Sequence, residues 1–499
     1  MREHATRHIA LVVLLLCAVA VVARHWETVT AASQQEQAVR IYLPFVPVQE
    51  TPTEDLMIDH LGLYQSVQDQ SNGVTLVARK PAMLRVHARS VRPDGNPSRA
   101  AVTVQAWRDG QPLGTLTIGP QTVSLRPSAD DLGSTFNIDL PLEWLQGSIS
   151  LKVAIDREGA VPEWSETNNT MTADFSFREV PALELTIVPI TYIDTVTGVT
   201  FTETAHDPIS GWLLSVFPLN RIDVTLRAPY TFRGDLRRGD EWTRLLGELT
   251  TIWAAEAGPG SSRLYFGLVP NSAPGGRNWF SGGVSGLGWV GQRVSVGLDV
   301  DAETGKSAAH EIGHNLGRQH APCGNPNNVD PNFPYPNASI GVIGVDTGDD
   351  TLLNPNVTHD VMSYCGPEWV SDYTYEGLFR DQALRAGRAG ADKGEGWLLS
   401  ALIDGDAVTA LPIQRIDRPF MPVETDAAYR VQLLDGRGNV IASYPAELYQ
   451  ADEEGASARM LMAHVPGNGI DGSGPETLRY LGPDGQIVAE QSVAPPAEQ

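Results

Sequence analysis

Three histidines and a glutamate lie close together where the chain reads HEIGHNLGRQH, residues 310–320. His310 and His314 are four residues apart, so on a helix both imidazoles point the same way and can hold one metal ion. Gly317 has no Cβ and can end that helix in the left-handed conformation, after which the chain turns and brings His320 back as a third ligand. All five specified positions of HExxHxxGxxH match, which for a chain of this length happens by chance on the order of once in ten thousand. The segment therefore predicts a zinc site.

The ligand set and its neighbour predict the chemistry of that site. Three protein nitrogens leave a fourth coordination position open, which is typical of catalytic rather than structural zinc. Zinc lowers the pKa of a bound water to roughly neutral and polarises a carbonyl group. Glu311 follows the first ligand directly and is placed to take the proton of the water and deliver it to a leaving amine. The pattern thus predicts peptide-bond hydrolysis by a metal-activated water with Glu311 as general base, one Zn2+ ion as cofactor, and no covalent intermediate.

At these residues the sequence resembles the metzincin zinc metalloproteases, which combine this long motif with a methionine-containing turn downstream. The segment DVMSYC supplies Met362, 42 residues after His320. The resemblance implies that the Met362 side chain lies beneath the metal as an apolar floor without ligating it. Tyr364 stands where astacin-like and serralysin-like members place a tyrosine that joins or leaves the metal. Two roles stay open for Tyr364: a catalytic hydroxyl, or an aromatic ring that packs in the turn.

One cysteine follows the third histidine, and another ends the segment with the methionine turn. Cys17 lies inside the N-terminal apolar run, which signal cleavage would remove. Export would then leave Cys323 and Cys365 in a compartment where disulfides persist. A bridge between them would close a loop around the site and contribute roughly 4 kcal/mol in the chain-entropy model. The alternative is two free thiols. Latency through a cysteine switch, as in matrixins, is not expected, because the chain has no cysteine between position 17 and Cys323.

The insert between His320 and Met362 carries three aspartates that offer a further metal hypothesis. Asp346, Asp349 and Asp350 fit either a structural Ca2+ site or a solvated acidic loop, and the EF-hand pattern is missing.

The N-terminus and the overall charge predict where the protein acts. Residues 1–32 carry Arg2 and Arg7, then fifteen apolar residues, then small residues, which is the order of a signal peptide. The apolar run is shorter than the about 20 residues that a spanning helix needs, so an uncleaved anchor is the weaker alternative. The net charge of -24 disfavours nucleic acid as a partner. We expect a secreted or extracellular protein with no stable membrane span after signal cleavage. Association with the cell surface is a second possibility.

Around the motif, hydrophobic periodicity divides the chain. Residues 33–57 lack such a pattern and predict a linker. Over residues 58–179 apolar and polar residues alternate with period two, which is typical of a β-sandwich. The stretch VAIDREGAVPEWSETNNTMTADFSF resembles the closing hairpin of the immunoglobulin-like adhesion modules of exported bacterial proteins. Strands alternate with helices over 180–392, and strands return over 395–493. The predicted fold class is multidomain: an α+β metzincin-like protease domain flanked by two immunoglobulin-like β-sandwich domains.

Three functions remain open from the sequence. The first is an active zinc endopeptidase with a protein or glycoprotein substrate. The second is a surface adhesin or binding protein whose zinc domain has lost activity, and the third is a zinc hydrolase that acts on another bond. A Gly-rich run, SGGVSGLGWVGQ, precedes the strand that leads into the zinc helix. It predicts either an edge strand that pairs with an extended substrate or a loop with no fixed role.

Overall fold

The computed structural model describes residues 52–202, 207, 209–258, 261–273, 276–300, 303–386, 396–404, 407–416, 428–453, 456–466 and 475–492. The predicted signal peptide and the linker up to residue 51 lie outside these residues. Within them the chain forms 30 strands and four α-helices, so the molecule is rich in β-structure. None of the helices in this described part is long and apolar enough to cross a membrane.

The N-terminal region is a β-sandwich, as its alternating pattern predicts. A three-stranded sheet, β1-β4-β7, faces a five-stranded sheet, β3-β9-β8-β5-β6. Alternate side chains of each strand point inward; Leu84, Val86 and Ala88 on one sheet, for example, meet Leu151 and Val153 on the other in a single buried core. The strands are β1 (Asp55–Tyr64), β2 (Val67–Gln68), β3 (Leu76–Val77), β4 (Met83–Val91), β5 (Arg99–Arg108), β6 (Gln111–Thr122), β7 (Phe136–Asp139), β8 (Ser148–Ile155) and β9 (Thr170–Arg178).

The central region combines strands and helices. Its main sheet has the order β11-β10-β14-β18-β17, with β12 and β13 also paired to β10. The helices are α1 (Ser210–Val216), α2 (Gly239–Glu256), α3 (Thr304–Asn315) and α4 (Asp372–Ala386). The strands are β10 (Leu183–Asp194), β11 (Thr200–Thr202), β12 (Ile222–Leu226), β13 (Tyr230–Gly234), β14 (Leu264–Pro270), β15 (Ser272–Ala273), β16 (Arg277–Asn278), β17 (Gly286–Gly288), β18 (Val294–Asp299), β19 (Ile343–Asp346), β20 (Thr351–Leu353), β21 (His359–Asp360) and β22 (Glu368–Trp369).

The direction of these strands positions the candidate site. Strands β10, β14 and β18 are parallel to one another, and helix α2 carries the chain from β13 to β14. Strand β17 runs antiparallel to β18 and ends the sheet order. Helix α3, which contains the first two motif histidines, follows β18 after a short connection. Helix α3 therefore packs against the parallel strands β14 and β18 and against the antiparallel last strand β17 of the same sheet.

The C-terminal region is a β-structure whose strands form one continuous sheet rather than two separate ones. Strand β27 joins two halves: residues 440–446 pair with β26, and residues 447–453 pair with β28. Side chains from both halves share one core, so the halves pack face to face as in a sandwich. The strands are β23 (Gly396–Asp404), β24 (Ala407–Ala410), β25 (Gln414–Ile416), β26 (Tyr429–Leu434), β27 (Val440–Glu453), β28 (Ala456–Pro466), β29 (Thr477–Leu481) and β30 (Ile487–Ser492).

Both flanking regions pack tightly against the central one. Strand β2, in the N-terminal region, pairs antiparallel with β19 and extends the small sheet formed by β19 and β20. The C-terminal sheet packs on α2, where the side chain of Leu402 lies against Gly247. It also reaches the end of β17, where the backbone N–H of Val290 donates to the carbonyl of Gln450 at 2.9 Å.

Candidate metal centre

Helix α3 is fixed in place by apolar packing and by polar contacts at both ends. Ala309, Ile312 and Leu316 form a fully buried stripe, which the sequence predicts from their spacing. Near its N-terminus, the hydroxyl of Thr304 donates to the Asp299 carboxylate at 2.6 Å. At the C-terminus, the Asn315 side-chain amide donates to the backbone carbonyls of Trp289 and Val294 at 3.0 and 2.9 Å. The helix is thereby tied to the β17–β18 hairpin.

Gly317 ends the helix as the motif predicts. Its φ is +80°, the left-handed conformation that favours glycine. The N–H of Gly317 donates to the carbonyl of His314, and the N–H of Arg318 donates to that of Gly313, at 2.8 and 2.9 Å. These bonds satisfy the last carbonyls of the helix and reverse the chain. The reversal brings His320 back toward the other two histidines.

The three motif histidines converge in the structure. One ring nitrogen of each lies within 4.8 Å of those of the others, and the residues are 8%, 3% and 1% exposed for His310, His314 and His320. The Nε2 atoms of His314 and His320 are 3.2 Å apart. The cluster thus places three imidazole nitrogens around one buried point.

Backbone carbonyls fix the orientation of all three rings. The Nδ1 atoms of His310, His314 and His320 lie 2.8, 2.8 and 2.5 Å from the carbonyl oxygens of Val361, Arg318 and Asn327. A carbonyl oxygen can only accept a hydrogen bond, so each Nδ1 carries the proton and each Nε2 presents its lone pair. This is the arrangement that supports imidazoles in metal sites. Three such nitrogens, with no sulfur ligand, fit a zinc ion well.

Glu311 lies between the helix and strand β17, and it is only 3% exposed. A Cβ built at Gly286 would overlap its carboxylate, and one at Gly288 would lie 2.7 Å from its backbone oxygen and 3.1 Å from Oε2. Strand β17 can therefore approach Glu311 only because both positions are glycine.

The Gly-rich run is thus a strand over part of its length rather than only a loop. Gly286, Leu287 and Gly288 are all buried, however, and the C-terminal sheet bonds to Val290 just beyond them. Part of the run is therefore covered in this structure, and its pairing with substrate stays a prediction.

Met362 packs against helix α3. It is 1% exposed, and its sulfur lies so close to Gly313 that a Cβ there would overlap it. The Met362 carbonyl accepts from the N–H of Ala321 at 2.8 Å, which links the turn to the loop after the third histidine. The methionine therefore lies under the helix that carries His310 and His314.

Tyr364 reaches the histidine cluster. Its hydroxyl oxygen lies 3.3 Å from Nε2 of His320, and the ring centroids of Tyr364 and His310 are 5.8 Å apart. The backbone of the opposite loop comes close at Gly324, where a Cβ would lie 3.1 Å from the Tyr364 Cα. The hydroxyl thus lies beside the nitrogen that would ligate the metal.

The predicted disulfide is present. Cys323 and Cys365 are bonded to each other, with their Cα atoms 5.7 Å apart. A nitrogen of His359 lies within 4.8 Å of both sulfurs, but the sulfurs are already joined. The bridge ties the loop after His320 to the residue that follows Tyr364.

The three acidic residues of the insert lie in and around the β19–β20 turn. Asp346 and Asp349 accept bonds from the N–H groups of Gly348 and Thr351 at 2.9 and 3.0 Å. Among the described residues, neither cluster of possible metal ligands includes any of these aspartates. Asp346 and Asp349 thus make the contacts of turn residues, and the calcium site stays a prediction.

Several residues that build the site have no signature in the motif. Asp360 is fully buried and accepts hydrogen bonds from the N–H groups of Met362 and Ser371, at 2.8 and 2.9 Å. Burial raises the pKa of Asp360. The only sequence signal for it is an acidic residue two positions before the methionine. The carbonyls of Val361, Arg318 and Asn327 carry no signal, because any residue type supplies a carbonyl.

No family model matches the chain, and no curated protein matches it. Among solved structures, a CARDB domain from Pyrococcus furiosus, crystallised in complex with di-metal ions, is 18% identical; the match covers 25% of this chain and 94% of that domain, with a TM-score of 0.17. A domain of a cell-surface protein from Methanosarcina acetivorans is 25% identical over 25% of this chain and 91% of that domain, with a TM-score of 0.16. A β-glucuronidase from Parabacteroides merdae is 10% identical over 44% of this chain and 29% of that enzyme, with a TM-score of 0.17.

Proposed function

We propose that this protein is a zinc-dependent endopeptidase of the metzincin type. The observation that carries the proposal is the convergence of three buried imidazoles whose Nδ1 atoms all bond to backbone carbonyls. Rings oriented in this way turn their Nε2 atoms toward one point, and three nitrogens match an open zinc site. Met362 under the helix and Tyr364 beside His320 agree with the same family pattern.

His310, His314 and His320 would hold the zinc, which when bound supplies Lewis acidity toward a scissile carbonyl and acidifies water. Glu311 accepts the proton of the attacking water and then donates it to the leaving amine. Its low exposure keeps solvent away from the carboxylate, so the proton passes between bound groups. The Tyr364 hydroxyl can donate a hydrogen bond to negative charge that develops on the carbonyl oxygen.

The disulfide supports an extracellular location for this activity. Disulfides persist in exported proteins and are rare in reducing compartments. We therefore propose a secreted enzyme that acts on proteins or glycoproteins. In this hypothesis the sandwich domains can also bind the enzyme to a cell surface.

The test compares the purified protein with its Glu311→Gln and Glu303→Gln variants. Glu303 is a matched control, since it lies just before the same helix with a side chain that is 55% exposed. All three proteins should bind one zinc. The parent and Glu303→Gln should cleave casein, whereas Glu311→Gln should lose about 100- to 10,000-fold in rate.

Two outcomes would contradict the proposal. A parent protein that binds no zinc at micromolar concentration would remove the metal site. Zinc binding without cleavage of casein, gelatin or a mixed peptide library would instead favour the adhesin hypothesis or a zinc hydrolase for another bond.

A further inference from the structure

Trp369 connects the segment that follows strand β1 of the N-terminal sandwich to the turn that carries Met362. Its indole Nε1 donates to the backbone carbonyl of Ser66 at 2.9 Å, a buried bond between residues 303 apart in the chain. The residue is 1% exposed. Because the indole has one N–H group and burial shields it from water, this bond fixes the ring against the segment after β1.

The backbone of Trp369 continues the connection toward the metal centre. Its carbonyl accepts a hydrogen bond from the N–H of Val361 at 2.6 Å, directly after the β21–β22 pairing. The carbonyl of the same Val361 accepts the Nδ1–H of His310 at 2.8 Å. Three successive hydrogen bonds thus join Ser66 in the sandwich region to the first metal ligand.

Ser66 is itself fixed by several independent contacts. Its carbonyl also accepts the N–H of Val345 at 2.8 Å, and its hydroxyl donates to the Ser215 carbonyl at 2.5 Å. The next two residues form β2, which pairs with β19. The Trp369 ring packs on this ladder, since a Cβ at Gly344 would lie 2.8 Å from its Cδ1 atom. The anchor for Trp369 is therefore rigid.

Apolar packing follows the same route. Val67 and Val74 of the N-terminal region share one core with Ala309 and Ile312 of the zinc helix. The asparagine side chain of Asn220 in turn donates to the carbonyl of Ala78 at 2.7 Å. The two regions are thus joined by buried apolar and polar contacts, unlike domains joined by a flexible tether.

We propose that the N-terminal sandwich is a working part of the metal centre and that Trp369 is the positioning residue that couples it to His310. This inference rests on the metal-binding half of the proposed function and does not depend on which bond the protein cleaves. The segment that leaves the sandwich after β1 holds Trp369, Trp369 holds Val361, and Val361 holds the His310 ring in the orientation that ligates metal. By linkage, bound metal stabilises the docked sandwich to the same extent.

The expected size of the effect follows from the position of Trp369 in this chain of bonds. Loss of a direct partner of a metal-ligating histidine typically weakens metal binding 10- to 100-fold. Trp369 acts one hydrogen bond further away, so its loss should weaken zinc binding about 3- to 10-fold.

The test substitutes Trp369→Phe, which keeps an aromatic ring and removes the N–H donor. Trp279→Phe is the matched control, because Trp279 is also buried and also donates its Nε1–H to a backbone carbonyl, that of Pro270 at 2.7 Å, in a different core. The zinc Kd of each full-length protein is measured by competition with a chromophoric chelator, and thermal unfolding is recorded for each. We expect both variants to lose stability and only Trp369→Phe to raise the zinc Kd.

Equal zinc Kd values for the parent and Trp369→Phe would overturn the inference while leaving the metal site intact. A parent that binds no zinc would instead overturn the proposed function. If Trp369→Phe fails to fold, hydrogen exchange of the unmodified protein decides the matter. Removal of zinc with a chelator should then speed exchange at Val345, whose N–H bonds to Ser66, and leave the β5–β6 pairing unchanged; unaltered exchange at Val345 would count against the coupling.

Discussion

The Asp360 carboxylate accepts the backbone N–H of Met362 at 2.8 Å, and Asp360 is completely buried. Its second oxygen accepts the N–H of Ser371 at 2.9 Å. One side chain therefore holds both ends of the segment that contains the methionine turn, the cysteine of the disulfide and Trp369. This segment has little regular structure, so its shape depends on such contacts.

Asp360→Ala should therefore lower the free energy of unfolding by about 2–3 kcal/mol, because two buried N–H groups lose their acceptor. Asp435→Ala is a suitable control. Asp435 also accepts two backbone N–H groups, from Arg437 and Asn439, but in an exposed turn where water can replace it. Chemical denaturation of the two variants beside the parent measures the difference, and an equal loss for both would show that Asp360 has no special role.

Gly317→Ala should lower the free energy of unfolding by about 1–2 kcal/mol, since alanine is strained at a φ of +80°. An added Cβ there would meet no atom within 4 Å, so the cost comes from the backbone alone. The same applies to Gly485, at φ +72° in a C-terminal turn, which makes Gly485→Ala a matched control. Both variants should lose similar stability, but only Gly317→Ala should weaken zinc binding, because it displaces His320. Unchanged zinc affinity in Gly317→Ala would argue that the turn does not position the third ligand.

Lys80 should make stability depend on pH. It is 2% exposed, and its amine donates to the backbone carbonyls of Leu214 and Ser215. Burial lowers the pKa of Lys80 to about 7, although the nearby Asp346 carboxylate opposes the shift. Between pH 7 and the unfolded pKa of about 10.4, the unfolded chain binds more protons than the folded one, so stability should rise with pH.

Lys80→Met should remove this rise, because methionine fills similar space without a charge. The free energy of unfolding, measured by denaturant at pH 7 and pH 9, should increase in the parent and stay more nearly constant in the variant. The exposed Lys152→Met substitution serves as the control and should keep the slope of the parent. The same slope in all three proteins would contradict the assignment to Lys80.

Tyr364→Phe separates the two roles that the sequence leaves open. If the hydroxyl beside His320 stabilises developing charge, kcat should fall about 100-fold with an unchanged zinc Kd. Tyr335→Phe removes a hydroxyl that bonds to Asp372 at 2.8 Å and should leave kcat near the parent value. Full turnover by Tyr364→Phe on the same peptide would leave the tyrosine with a packing role only.

The sequence predicts the local parts of this site well because they depend on neighbours in the chain. The i, i+4 spacing of His310 and His314, the apolar stripe of Ala309, Ile312 and Leu316, and the left-handed Gly317 all follow from the geometry of one helix and its end. The period-two pattern likewise predicts the N-terminal sandwich, since alternate residues of a strand face opposite sides. Sequence alone therefore determined the ligand types, the order in which the chain presents them and the β-rich flanking regions.

Only the tertiary structure decided how these parts meet. The bond from Trp369 to Ser66 spans 303 residues, and the pairing of β2 with β19 joins segments more than 270 residues apart. Neither contact produces a pattern in the sequence, because every residue type has a backbone carbonyl and can pair in a β-ladder. The continuous C-terminal sheet and its contact with β17 were unpredictable for the same reason: strand patterns show which faces are buried but not which edges pair. The candidate ligands thus come from one short segment of the sequence. The contacts that orient them come from segments far apart in the chain.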